Sequence, residues 1–102
     1  MPLFVKTENF TEETKKLLPE VRQHYLDQHI SWVINLKRSG IKISSGYLVD
    51  SNRVPGGGGL LVLKADSYEE AKTIIEKDPM IVFGLVTWEL QEWIPVFGKL
   101  IN

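Results

Sequence analysis

The chain of 102 residues contains no cysteine, which removes disulfide staples, thiol catalysis and thiolate metal sites together. It also lacks a surplus of either charge. Twelve Lys and Arg against thirteen Asp and Glu leave a formal net charge of -1, so no global field selects nucleic acid or an anionic membrane as partner. Nowhere do about 18 uncharged apolar residues run together, as a membrane-spanning helix requires. The opening MPLFVKTENF has no basic stretch leading into an apolar run of the kind that marks a secretory leader, and a cytoplasmic location is the default expectation. Internal repeats, low-complexity segments and interdomain linkers are absent as well. With 43% hydrophobic and 25% charged residues, the composition is that of an ordinary globular protein, and a single domain over residues 1–102 is expected.

Against those absences stands an ordered set of elements. LFVKTE reads as an opening strand, and TEET supplies Thr11 as an N-cap with two glutamates in the first turn, where the helix dipole favours them. Pro19 interrupts. The pattern predicts a helical turn near 12–17 and a main helix over 19–38, stopped by Gly40. IKISSGYLV alternates as a strand with Ile41, Ile43, Tyr47 and Val49 on one side, and the turn-rich DSNRVPGGGG leads to the apolar strand LLVLKA. Ser67 and Glu70 form a capping box that starts a second helix over 67–77, and Asp78-Pro79 ends it. In MIVFGLVTWELQEW, Val86, Trp88 and Leu90 alternate with Thr87, Glu89 and Gln91, the mark of a closing strand.

The order β-α-β-β-α-β predicts an α+β, ferredoxin-like antiparallel sheet of four strands with both helices on one face. Leu, Val, Trp and Tyr side chains remain for the second face, so a homodimer packed sheet to sheet is expected, forming a dimeric α+β barrel. The apolar tail IPVFGKLIN is a candidate contributor to that interface, or packs on its own subunit.

Two residues stand out. At about 100° per residue, His29 falls at the centre of the apolar stripe of the main helix, flanked by Leu18, Leu36, Arg22, Tyr25, Leu26, Val33 and Trp32. His24 lies about 140° away among Glu20, Asp27, Ser31 and Arg38 by the same periodicity, so the two histidines do not form a helical metal pair, and no metal site is expected. His29 is either a core histidine satisfied by its neighbours or a general acid/base in an apolar surround. Asp78 closes a helix at the end where negative charge is least favoured; it is either an Asp-Pro turn opener or the partner of His29.

Other signals are weaker. Gly56 to Gly59 lacks the lysine and Ser/Thr of a phosphate-binding loop, and reads as a flexible hairpin connection or a lid over a ligand. RNA-binding domains of the same topology carry aromatics and a basic residue on the third strand, where this chain has GGLLVLKA, so no nucleic acid is expected. Tyr47, Trp88 and Trp93 line either an aromatic pocket on the open sheet face or a subunit interface. Arg22 shares the face of His29 and either anchors an anionic ligand or snorkels to the surface.

LDQHISWVINLKRSGIKISSGYL, PGGGGLLVLKADSYEEAKTIIEKDPM and, more loosely, LVTWELQEW together cover residues 26–93 and resemble the YciI-like family of small dimeric α+β-barrel proteins. The shared pattern is a helix with a buried histidine, a strand with a Ser/Ala-Gly pair, a Gly-rich start to the third strand and a helix ending in Asp-Pro. The resemblance implies a ferredoxin-like homodimer with His29 and Asp78 as a catalytic dyad and Ser45 and Gly46 bordering its pocket. Some members eliminate chloride from, or rearrange, small oxygenated ring compounds. This chain departs from the pattern at Leu26, where arginine is common, at Tyr47, where proline follows the glycine, and at Met80, where an aromatic follows Asp-Pro.

Two functional classes follow. The first is a small lyase or isomerase without metal or organic cofactor, in which His29 moves a proton on a small cyclic carbonyl or phenolic compound and Asp78 orients it. The second is a noncatalytic dimeric module for a small ligand or a protein, in which the same pair locks helix to helix. Haem or quinone monooxygenase-like chemistry has only the fold order in its favour.

Overall fold

A computed structural model describes residues 1–99. The elements follow as β1 (Leu3–Phe10), α1 (Glu12–Lys16), α2 (Pro19–Arg38), β2 (Ile43–Val49), β3 (Pro55–Lys64), α3 (Tyr68–Ile75), α4 (Pro79–Val82) and β4 (Val86–Trp93). The strands lie in the order β2-β3-β1-β4, and every neighbouring pair is antiparallel. This is the ferredoxin-like arrangement that the element order predicts. Among the described residues no helix is long and apolar enough to cross a membrane.

Local chemistry sets the helix ends. Thr11 accepts from the Thr14 amide to start α1, and the buried Thr14 hydroxyl donates to the Leu85 carbonyl at 2.7 Å, tying α1 to the approach to β4. Pro19 occupies the first turn of α2, where its missing N–H is no loss. Gly40, at φ +96, leaves that helix in the left-handed conformation glycine tolerates. Ser67 caps α3 by accepting from the Glu70 amide, while the Glu70 carboxylate reaches one residue further back than a capping box requires, to the Asp66 amide.

Strand alternation then divides the sheet into two faces. Phe4, Ile43, Leu61, Leu63 and Leu90 point to one side and form the core with Ala71 and Ile75 of α3. Trp32, Val33 and Leu36 of α2 pack against the same cluster, so both long helices cover that face. Leu3, Val5, Leu48, Leu60, Val62 and Trp93 fall on the opposite face by parity.

Several expectations are corrected. Gly56 to Gly59 is strand, not connection: Gly58 pairs with Asn9 and Gly59 with Glu8. Low β propensity yields here to crowding, because a Cβ at Gly57 would lie 3.1 Å from the Phe10 ring. Tyr47 and Trp88 do not lie on the open face. Tyr47 is in register with Gly59, and Trp88 and Gly59 both with Glu8, which shares its parity with the core residue Phe4; Trp93 alone of the three is on the open side. The second helix ends at Ile75, and α4 takes in residues 80–82, expected in the last strand. Leu18 stays 62% exposed, because it precedes the first turn of α2. Of the tail, Ile94, Val96 and Phe97 are exposed, and residues 100–102 lie outside the described residues.

Candidate functional site

Asp78 is the N-cap of α4, not the last residue of a helix. Its Oδ1 accepts from the Met80 amide at 3.0 Å, at the end of a helix where a carboxylate is favoured. The chain turn that makes α4 also drives this side chain inward until it is 0% exposed. Two further partners meet it there. His29 Nδ1 lies 2.9 Å from Oδ1, and the ammonium of Lys6, itself 0% exposed, donates to Oδ2 at 2.9 Å. Lys6 also pairs with Oε1 of Glu8.

Burial is the largest influence on Asp78 and pushes its pKa up; the hydrogen bond from His29 and the charges of Lys6 and His29 outweigh it, holding the carboxyl below its usual range. The side chain is therefore an ionised acceptor, and the proton in the His29–Asp78 bond belongs to Nδ1. In the neutral imidazole this leaves Nε2 as an acceptor. Ser45 Oγ lies 2.8 Å from Nε2, so its hydroxyl donates to the ring. The arrangement is a Ser45–His29–Asp78 relay with a buried lysine behind the acid.

The relay opens on solvent. His29, with its side chain 13% exposed, lines a cleft of about 1010 Å³ together with Leu26, Ile30 and Val33 of α2, Ser45, Gly46 and Tyr47 of β2, and Met80. Phe10, Glu8, Lys15 and the glycines 56–59 also line it. A Cβ at Gly59 would lie 3.1 Å from Glu8 Cγ, so glycine there keeps room for the glutamate. The three departures from the YciI-like pattern, Leu26, Tyr47 and Met80, all line this cleft and replace a charge, a rigid ring and an aromatic with other surfaces.

The remaining candidates are distributed as follows. His29, Asp78 and Ser45 form one hydrogen-bonded set, and Gly46 and Tyr47 join them at the cleft. Trp88 does not; it is half-buried against the hydrophobic core. Arg22 borders the cleft, but its Nη1 donates to the carbonyls of Lys15 and Leu17 at 3.0 and 2.9 Å, closing the end of α1. His24 faces outward and meets Gln28 at 2.9 Å. Among the described residues no group of three or more His, Asp or Glu side chains is placed to hold a metal ion. Lys6 and Glu8 were not apparent from sequence patterning. The available signal was parity: Lys6 and Glu8 alternate with Val5 and Thr7, on the side of Phe4, which places two charges on the inward row of a strand.

The comparisons with known proteins agree with the fold. No curated protein sequence matches the chain. Among solved structures, a 5-chloro-2-hydroxyhydroquinone dehydrochlorinase from Burkholderia phenoliruptrix, in complex with 2,5-dihydroxybenzoquinone, superposes with a TM-score of 0.70 at 21% identity, covering 90% of this chain and 93% of that one. An EthD-family protein from Bacillus halodurans gives 0.55 at 14% identity over 92% of this chain and 100% of its own. A dimeric ferredoxin-like protein from an uncultured marine organism gives 0.51 at 15% identity over 97% of this chain and 100% of its own. At these identities the likeness establishes the fold and not the chemistry. The sequence model of the YCII-related domain matches residues 3–94, nearly the whole chain, and the protein belongs to the YCII-related domain family.

Proposed function

We propose that the protein is a small cofactor-independent enzyme, acting as a cytoplasmic homodimer, that transfers a proton on a small cyclic carbonyl or phenolic compound in a lyase or isomerase reaction. The observation that carries this reading is the position of His29 Nε2. It is backed through Nδ1 by an ionised, fully buried acid and faces a cleft with ample room for a small ring compound, where among the described residues it is bonded to the exposed hydroxyl of Ser45.

In the proposed chemistry a ring hydroxyl enters beside Ser45 and gives its proton to Nε2 as the oxygen's electron pair forms a carbonyl. The imidazolium so formed is stabilised by Asp78, whose charge Lys6 holds in place. Return of the proton to a ring carbon gives the keto tautomer and completes an isomerisation; where that carbon carries chloride, a second ring hydroxyl conjugated to it gives its proton to Nε2 and forms a carbonyl as chloride leaves the now tetrahedral carbon with its electron pair, completing an elimination. The similarity to a dehydrochlorinase supports the substrate class, and the open sheet face with Leu60, Val62 and Trp93 supports the dimer. A noncatalytic ligand-binding module would use the same cleft, but it assigns no work to the bond between Nε2 and Ser45.

The test is proton exchange and chloride release. Chlorinated and unchlorinated di- and trihydroxybenzenes are incubated with the protein in D2O under nitrogen, and ring deuteration and free chloride are followed. The wild type is expected to exceed His29→Gln by about 10²- to 10⁴-fold, the range for one general acid/base. Equal rates for the two proteins across the panel would remove the enzymatic reading.

A further inference from the structure

Three charged residues line the cleft without a part in the proposed chemistry, Lys15, Arg22 and Glu8, and of these Glu8 alone is an acid. Glu8 lines it from β1, with its side chain 12% exposed. Two features separate it from a solvated surface carboxylate. Its Oε1 contacts the buried ammonium of Lys6, the same cation that donates to Asp78, so Glu8 and the partner of His29 are fixed by one side chain. Directly across the ladder stands Gly59, and the approach of Glu8 Cγ to within 3.1 Å of where a Cβ would be means the glutamate occupies the space that glycine leaves. The carboxylate is thus held in the wall by a lysine on its own strand and a gap on the next.

A carboxylate has about four acceptor positions and no donor, so the contact with Lys6 leaves capacity for a ligand. The cleft also presents the apolar side chains of Phe10, Leu26, Ile30 and Met80, and against such a lining a few placed polar groups fix a ligand's orientation. A group that only accepts selects an O–H or N–H and disfavours an anion. Resting on the reading of the cleft as a site for small phenolic rings, we propose that Glu8 is a substrate-binding residue that accepts a hydrogen bond from a hydroxyl of a neutral ring compound, turning another ring position toward His29.

The experiment compares two probes of one ring, hydroquinone and 1,4-dimethoxybenzene, which differ in the donors that Glu8 and His29 Nε2 would accept, so that the change caused by Glu8→Met isolates the contribution of Glu8. Their dissociation constants are measured by calorimetry under nitrogen for the wild type, Glu8→Met and Gly59→Ala, with circular dichroism as the check on folding. The wild type is expected to prefer hydroquinone by about tenfold or more, the worth of one hydrogen bond to a charged group. In Glu8→Met the preference falls by about tenfold, to what the hydroxyl at His29 retains, with 1,4-dimethoxybenzene bound as before. Gly59→Ala keeps the charge but displaces the side chain, and lowers the preference without Glu8 being changed; it carries the test if Glu8→Met does not fold. Binding of both probes with an unaltered preference in the folded variants overturns the role of Glu8 and leaves the phenolic site standing. Failure of the wild type to bind either probe overturns the phenolic site, and the role of Glu8 with it.

Discussion

Replacing Asp78 by Asn isolates the charge at the centre of the site. Asn keeps the shape, still caps α4 through the Met80 amide, and can still meet His29, but it leaves Lys6, buried at 0% exposure, with Glu8 as its remaining counter-charge. Removing one partner of a buried ion pair costs about 3–5 kcal/mol. Because Glu8 stays in place and the cap survives, we expect the lower part of that range or somewhat less, about 2–3 kcal/mol at pH 7. In a domain of this size each kcal/mol lowers Tm by about 4–8 °C, so the melt should fall by roughly 10–20 °C.

The same substitution has a pH signature. The folded carboxyl of Asp78 is held below the ordinary value of 3.8, so between the two values the unfolded chain binds more protons than the folded one. Stability from this group therefore rises with pH through that window; it is fully present above about pH 4–5 and is lost as pH falls through the folded pKa. Asn does not titrate. Urea unfolding of both proteins between pH 7 and 2.5 should show a gap at pH 7 and pH 5 that narrows below about pH 4. A gap of equal size at pH 7 and pH 2.5, or one under about 1 kcal/mol at pH 7, would refute the picture of a buried carboxylate sustained by Lys6.

Neutral His29 should carry its proton on Nδ1, visible as the tautomer pattern in long-range ¹H–¹⁵N spectra; an Nε2–H form would contradict the hydrogen-bond order Ser45→His29→Asp78. Ser45→Ala should shift Tm by only a few degrees, because Ser45 is exposed, yet move the His29 ring resonances, and unchanged resonances would mean the 2.8 Å contact is not formed in solution. Lys6→Met should cost more than Asp78→Asn at pH 7, about 3–5 kcal/mol in all, since two carboxylates lose their cation, and should recover relative to wild type on acidification as they protonate. Leu60→Glu, at a 37% exposed position on the open sheet face, should yield monomers by analytical ultracentrifugation with the fold retained; an unchanged sedimentation coefficient would place any dimer interface elsewhere.

Much of the frame was readable before any coordinates. Pro19 and Gly40 bracket α2 because one residue tolerates a helix start and the other a left-handed exit, effects that act within one or two residues. The period of His29, Val33 and Leu36 located the inward side of that helix for the same reason. Where reading failed, the deciding contact was distant. Gly56 to Gly59 looks like loop until Phe10 and Glu8 arrive beside it, and the parity of Tyr47 and Trp88 says that they share a face with alternate neighbours without saying which face the helices take.

The chain by itself determined the order of the four strands and two longer helices, the limits of α2 and the presence of one histidine on an apolar stripe, since these follow from short-range sterics and periodicity. Only the tertiary structure decided that Asp78, forty-nine residues from His29 and seventy-two from Lys6, would meet both, and that Ser45 would close the relay at the cleft. Such meetings depend on strand register and on the packing of α2 against the sheet and α4, where desolvation makes each charge demand a partner; no local pattern encodes which partner that is.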